Sequence, residues 1–352
     1  MKQMKNLKYI ISGLFVVGVL VSNAQNQPHL NQYMMQKTFI NAASAISSNQ
    51  TNVGLFYKNQ WAGFDGAPTI GGLNLFGNID KKHYIGFDFN SDNIGVNNSS
   101  AFYGSYTYKL QVAEDADLGF GLSAGFNFIQ SNYAEIKTKD ADPLFAGNTP
   151  TFATPNFRFS TFYQKKDKYY VGLAIPNLMR NEIVFSTDYE GKSSFDTKNF
   201  HYYLNGGYYY KINWEMKLEA ATLIKYASGA PVQADLNAIL HYDDKYAGGL
   251  GFRTSKDLLI MLNFQIADGL KLGYAYEFNM GKVKPYSSGS HEIMLVYKFK
   301  AKPEVEEKEQ LDLQQQEEEQ KNNLEKPKEE TKPEGEEKKE EEPYENKLNK
   351  KK

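Results

Sequence analysis

The side chains with the greatest capacity for chemistry in this chain are five histidines, His29, His83, His201, His241 and His291. Hydrolysis would need one of them beside a nucleophile, or two carboxylates brought together across a substrate. None stands in a helical HExxH or nucleophile-elbow motif. The sequence has no cysteine, which removes thiolate nucleophiles and metal sites, disulfides and a lipobox anchor. His83, His201 and His291 fall near the starts of expected strands, where an amphipathic ring suits a headgroup boundary. Ser, His and Asp assembled across strands would serve a lipase or protease, yet nothing in the sequence selects such a set. The expectation is no enzymatic activity, no metal and no cofactor.

Two local patterns carry more information. In Gln60-Trp61-Ala62-Gly63-Phe64-Asp65-Gly66-Ala67-Pro68, the glycines tolerate positive φ and Pro68 fixes the start of the next strand. This is a tight turn with Trp61 and Phe64 as interface anchors, and exposed aromatics on a turn also suit a partner-binding tip. In Gly289-Ser290-His291-Glu292-Ile293-Met294-Leu295-Val296-Tyr297-Lys298-Phe299, Ile293, Leu295, Tyr297 and Phe299 share one face at period two. Glu292, Met294, Val296 and Lys298 take the other face, as a lipid-facing barrel strand requires.

Residues 1–24 carry Lys2, Lys5 and Lys8, an apolar run and Ser22-Asn23-Ala24, the pattern of a signal peptide. No later apolar stretch reaches ~18 residues, so a membrane protein built from this chain would be a barrel. Of 25 Tyr, 23 Phe and 2 Trp, all but Tyr9, Phe15 and Tyr344 lie within residues 25–300. Such a density suits aromatic girdles at two interfaces. A soluble β-sandwich is the competing architecture. No basic patch stands out, which argues against nucleic acid as a partner.

Alternation bounded by turn residues places fourteen strands near residues 52–61, 68–78, 83–90, 100–110, 117–130, 156–164, 168–175, 199–212, 215–226, 232–242, 246–254, 258–266, 270–279 and 289–299. In 117–130, Leu118, Phe120, Leu122, Phe126 and Phe128 oppose Gly119, Gly121, Ser123, Gly125 and Asn127. A glycine-rich polar face fits a barrel interior better than a sandwich exterior. Connections after even strands are short, and the long ones, 131–155, 176–198 and 280–288, follow odd strands, although some odd-side connections are short too. That parity puts both chain ends in the periplasm. The fold expected for 52–300 is all-β, a transmembrane antiparallel β-barrel of about 14 strands in the cell outer membrane.

Residues 25–51 are polar and aromatic without periodicity, and either line the periplasmic mouth or fold into the lumen. Residues 301–352 hold 18 acids and 12 lysines and cannot bury a core, so a disordered or partly helical periplasmic tail is expected, any helix lying near 304–325.

Several stretches resemble the PorP/SprF family of outer-membrane proteins of the Bacteroidetes type IX secretion and gliding motility machinery. They are Phe39-Ile40-Asn41, Tyr57-Lys58-Asn59-Gln60-Trp61 running on to Gly63, Phe64, Gly66 and Pro68, and 169–178, 270–277 and 289–295, with Gly289, His291 and Glu292 in the last. The family usually continues Phe-Ile-Asn with Pro-Ala-Tyr-Ala-Gly, where this chain has Ala42-Ala43-Ser44-Ala45-Ile46. The resemblance implies a non-enzymatic role in protein secretion. The implied partners are outer-membrane lipid, a type IX cargo or cell-surface adhesin, and periplasmic machinery proteins. The rival is an outer-membrane channel or transporter for a small solute, similar to fatty-acid transporters. The inward positions Lys217, Glu219, Lys271, Glu277, Glu292 and Lys298 argue against a greasy conduit but not a polar pore.

Overall fold

The computed structural model describes residues 30–136, 147–185, 189–281 and 283–300. The expected signal peptide, part of the 131–155 loop, and the tail with its helix near 304–325 lie outside the described residues. The strands are β1 (Asn52–Asn59), β2 (Thr69–Asn78), β3 (His83–Ile94), β4 (Asn97–Ala113), β5 (Ala116–Ser131), β6 (Phe152–Lys165) and β7 (Tyr169–Ile175). Then come β8 (Met179–Phe185), β9 (Tyr189–Phe195), β10 (His201–Lys211), β11 (Met216–Ala227), β12 (Gln233–Tyr242), β13 (Tyr246–Arg253), β14 (Asp257–Ala267), β15 (Leu270–Asn279) and β16 (Ser290–Lys298).

Fourteen of these form one closed antiparallel barrel, as the sequence leads one to expect, while β8 and β9 pair only with each other and β7 pairs with β10. Closure comes from β1 against β16, in register from Asn52↔Lys298 to Asn59↔His291. Closing the sheet removes the unpaired strand edge that a bilayer could not hydrate. An even strand number brings both barrel ends to one rim, here the near rim; the other is the far rim. Near-rim turns are short, and the long connections rise from the far rim.

Side chains alternate as the period-two pattern requires. On β16 Ile293 and Tyr297 are exposed, and Glu292, Met294 and Val296 are buried in the lumen. On β14 Leu258, Ile260, Leu262 and Phe264 point outward and Leu259 and Met261 inward. Two features depart from the sequence expectation. Strands β3 and β4 continue past residues 90 and 100 to a two-residue turn at Gly95-Val96, where Gly95 has φ +56°. The polar run Ser91-Asp92-Asn93, with low strand propensity, stays extended because its backbone pairs with Asn98-Ser99-Ser100. The 176–198 connection, expected as loop, contains the β8–β9 hairpin.

The polar N-terminal segment takes the lumen. Residues 30–50 thread inside the barrel with 3-10 turns at Lys37–Phe39 and Ala42–Ser47. Leu30 and Tyr33 pack on Leu223, Met294 and Val296, while Ala43 and Ile46 pack on Phe76, Tyr84, Phe162 and Tyr170. Strand glycines make room. A Cβ on Gly119 would lie 2.7 Å from the Ala43 carbonyl oxygen, one on Gly121 2.9 Å from the Ala43 nitrogen, and one on Gly54 2.9 Å from the Phe39 ring. Gly121→Val therefore overpacks the plug at a cost of about 1–3 kcal/mol. The expected outcome is a barrel that keeps its heat-modifiable electrophoretic mobility while the N-terminal segment becomes cleavable in limited proteolysis. A plug as protease-resistant as in the wild type would show that this contact does not seat it.

Candidate functional site

The strongest concentration of charge in the barrel surrounds the start of the plug. Alternation on β1, β12, β13, β15 and β16 turns Lys58, Asp235, Arg253, Glu277 and Glu292 inward at one level. Lys58 and Glu292 are 0% exposed, and Arg253 and Glu277 are 1% exposed. Lys58 Nζ lies 3.0 Å from Glu277 Oε2, and Arg253 Nη1 lies 3.0 Å from the same oxygen. Arg253 also forks onto Asp235, with Nε to Oδ1 at 2.8 Å and Nη2 to Oδ2 at 3.2 Å. Two cations therefore face two carboxylates, close enough to offset desolvation.

Asn31 occupies the centre of this set. Its Oδ1 accepts from Lys58 Nζ at 3.2 Å and from Arg253 Nη2 at 2.9 Å. Its backbone N–H donates to Glu292 Oε2 at 2.7 Å, and the next N–H, of Gln32, donates to Glu292 Oε1 at 2.9 Å. A carboxylate holding two consecutive backbone N–H groups fixes the direction of the segment as well as its position. This arrangement is a clamp, and it holds the chain's own N-terminal segment.

A second anchor lies nearer the termini. Glu219 accepts from Tyr170 Oη at 2.9 Å and pairs with His241 Nε2 at 2.8 Å, with Lys37 Nζ at 3.9 Å. Burial works against the Lys37 charge, but Tyr209 and Glu219 outweigh it and hold its pKa above the ordinary lysine value. Farther along, Asn41 Nδ2 donates to the Thr161 carbonyl at 3.0 Å and to Asn205 Oδ1 at 3.2 Å, and Thr107 Oγ1 donates to the Ala42 carbonyl at 3.1 Å. The Ala42-Ala43 departure from the family pattern thus sits where small side chains fit against Gly119 and Gly121.

The residues singled out in the sequence fall into two groups. Phe39, Ile40, Asn41 and Glu292 belong to the plug and its lumen partners; Phe39 stands edge-on to Phe56 at 4.9 Å. Gln60, Trp61, Gly63, Phe64, Gly66, Pro68 and Gly289 meet at the far rim. Gln60 N–H donates to the Pro68 carbonyl at 2.9 Å, Ala62 N–H to the Gly289 carbonyl at 2.7 Å, and Ser288 N–H to the Ala62 carbonyl at 2.8 Å. Trp61, Gly63, Gly66 and Gly289 all have positive φ, and Phe64 is exposed. His291 faces the opposite side of β16 from Glu292, beside Tyr276 and with Nδ1 2.8 Å from Tyr274 Oη. Sequence reasoning did not single out Asn31, Asp235 or Arg253. The signal for Asp235 and Arg253 was a charge on the inward face of β12 and β13, whereas Asn31 carried none.

Between the plug and the far rim lies a cavity of about 560 Å³, floored by Thr38, Phe39 and Asn41 and walled by β3 to β7. The clamp predicts an order of stability. Glu277→Leu removes a buried carboxylate from both Lys58 and Arg253, at a cost of about 3–5 kcal/mol. Glu292→Leu leaves two backbone N–H groups unpaired, at about 1–3 kcal/mol each. Urea titrations followed by heat-modifiability should rank both well below an Ile293→Ala control on the lipid face. Equal midpoints for all three would remove the clamp as a main support.

Comparison with solved structures finds outer-membrane barrels at low identity. A FadL homologue from Pseudomonas aeruginosa is 11% identical with a TM-score of 0.43, over 75% of this chain and 94% of that one. The CymD monoaromatic hydrocarbon channel is 12% identical with a TM-score of 0.44, over 79% and 95%. Omp33 of Acinetobacter baumannii is 10% identical with a TM-score of 0.42, over 71% and 98%. A search of curated proteins finds no match to the sequence. The family described as "Type IX secretion system membrane protein PorP/SprF" matches residues 22–297, which takes in the plug and nearly the whole barrel. With its lipid-facing closed sheet, this chain is an outer-membrane barrel that belongs to the PorP/SprF family of type IX secretion system membrane proteins.

Proposed function

We propose that this barrel is a plugged docking platform that holds secreted surface proteins of the type IX system at its far rim. The near rim, with both barrel ends, faces the periplasm and meets the periplasmic machinery, and no chemical step is catalysed. The observation that carries this reading is the occupied lumen. Residues 30–50 are bonded to many strands of the wall through the clamp and the Glu219 anchor, so the working surfaces are the two rims. On the far rim the turn of residues 60–68 and the β8–β9 hairpin offer exposed aromatics, Phe64 and Phe195. On the near rim lysines stand paired with acids, Lys165 and Lys168 with Asp115, Lys217 with Asp244 and Lys245 with Asp243, a mixed-charge border suited to polar periplasmic surfaces.

Replacing residues 176–198 with a short Gly-Ser linker separates docking from folding. The expected outcome is normal barrel levels in the outer membrane with secreted proteins lost from the cell surface into the medium. Full retention of those proteins would remove the far rim as their docking site. The channel reading is separated by planar-bilayer recording. The intact protein is expected to conduct little, and a variant lacking residues 30–50 to conduct steadily. Large ionic currents through the intact protein would favour a solute channel.

A further inference from the structure

We propose that the far-rim cavity is a binding site for a peptide segment carrying both an acidic and a basic side chain, the acid placed on Arg158 and the base on Asp92. The inference rests on the docking reading above and names what is docked.

The cavity contrasts with the clamp. In the clamp every cation has a carboxylate and every carboxylate a donor. In the cavity two opposite charges stand apart. Among the described residues Arg158 makes no ion pair within 4 Å and no hydrogen bond, and its Nε is buried without an acceptor. Its Cζ lies 3.2 Å from the centroid of the Tyr103 ring, a separation that only a stacked guanidinium plane can reach. Stacking fixes the plane and leaves the N–H edge for a carboxylate, which it would take in bidentate fashion. Tyr103 is itself fixed, its Oη donating to Asn127 Oδ1 at 2.5 Å and accepting from Asn156 Nδ2 at 2.9 Å. The cation is thus preorganised, and among the described residues its N–H edge meets no acceptor, the nearby carboxylate of Asp88 being held by Asn74 and Ser105.

Asp92 is the counterpart. It lines the same cavity from β3, and its Oδ1 is buried with no donor. Asp88, deeper on the same strand, is satisfied by Asn74 and Ser105. A buried charged or polar group without a partner is costly, and a bound ligand of opposite charge removes that cost. One small ion could satisfy Arg158 or Asp92 but not both, so the complementary ligand bears both signs. The remaining lining narrows the class. Asn97, Asn177 and Asn181 offer amides that match the donors and acceptors of a peptide backbone, with the Asn181 Oδ1 also lacking a donor. Phe89 and Phe159 give apolar wall. At about 560 Å³ the cavity falls in the ~300–1,000 Å³ range of ligand sites.

The test uses the full chain in lipid nanodiscs, panned against a random heptapeptide library displayed on phage. The expected result is enrichment of peptides that contain an acid and a base together. Synthetic versions should bind Arg158→Gln and Asp92→Asn about tenfold or more weakly than the wild type. Heat-modifiable mobility and a protease-resistant plug confirm that both variants are folded. Failure of the wild type to enrich any mixed-charge peptide overturns the proposal, as does equal binding to folded variants. Displacement of the peptides by free lysine and glutamate at matching concentration would assign the cavity to amino acids and overturn the peptide class. Should peptides fail to bind while loss of residues 176–198 still releases secreted proteins, this inference falls alone and the docking reading stands.

Discussion

The structure depends on one constraint: a barrel whose inward faces carry Lys58, Arg253, Asp235, Glu277 and Glu292 must satisfy those charges out of reach of bulk water. In so confined a space an unpaired charge costs several kcal/mol, and a half-paired network is worse than an apolar one. The strand charges nearly balance among themselves, but not fully. Asn31 supplies a further acceptor to both cations and, through its backbone N–H, a donor to Glu292. The plug is therefore a member of the charged network that lines the wall.

The same constraint explains the glycines. Glycine weakens a strand by its backbone entropy and its lack of a packing side chain. Gly54, Gly119, Gly121, Gly172 and Gly273 sit where a Cβ would strike Phe39, Ala43, Asn41 or Gln32. What the sheet loses in local propensity the plug regains in close approach to the wall, which also brings its polar backbone to partners such as Ser160 Oγ, 3.1 Å from Ala43 N–H. The alternation of Leu118 and Phe120 with Gly119 and Gly121 thus encodes lipid on one side and a folded segment on the other.

Those two codes differ in how far they can be read from sequence. Strand alternation is local, so all fourteen barrel strands, their parity and their two faces were legible from runs of about ten residues. The upper parts of β3 and β4 were not, because Ser91-Asp92-Asn93 has turn composition and is held extended only by its partner strand. The β8–β9 hairpin hid for the same reason inside a polar connection. The plug was legible as a segment without periodicity, which left mouth and lumen open as destinations. What decides between them is contact between Asn31 and Glu292, separated by 261 positions in the chain. No local pattern carries such a pairing. Glu292 was visible as an inward charge on the final strand, whereas its role depends on a neutral asparagine that no charge rule would select.

That separation bears on how the molecule assembles. Glu292 lies on β16, the strand that closes the sheet against β1, and the adjoining residues Ser290 and Gly289 tie the far-rim turn of residues 60–68 to the same closure. Lys58, on β1, meets Glu277 of β15 across β16. The contacts that seat Asn31 therefore gather around the seam where the first and last strands meet. Before the seam forms, Lys58 and Glu292 belong to opposite edges of an open sheet, and Asn31 has only part of its binding set. Once it forms, ladder bonds and clamp are completed together. Sheet closure and lumen closure are thus coupled by geometry, and the last strand has a second duty beside its lipid-facing row of Ile293, Leu295 and Tyr297: its inner face secures the beginning of the chain.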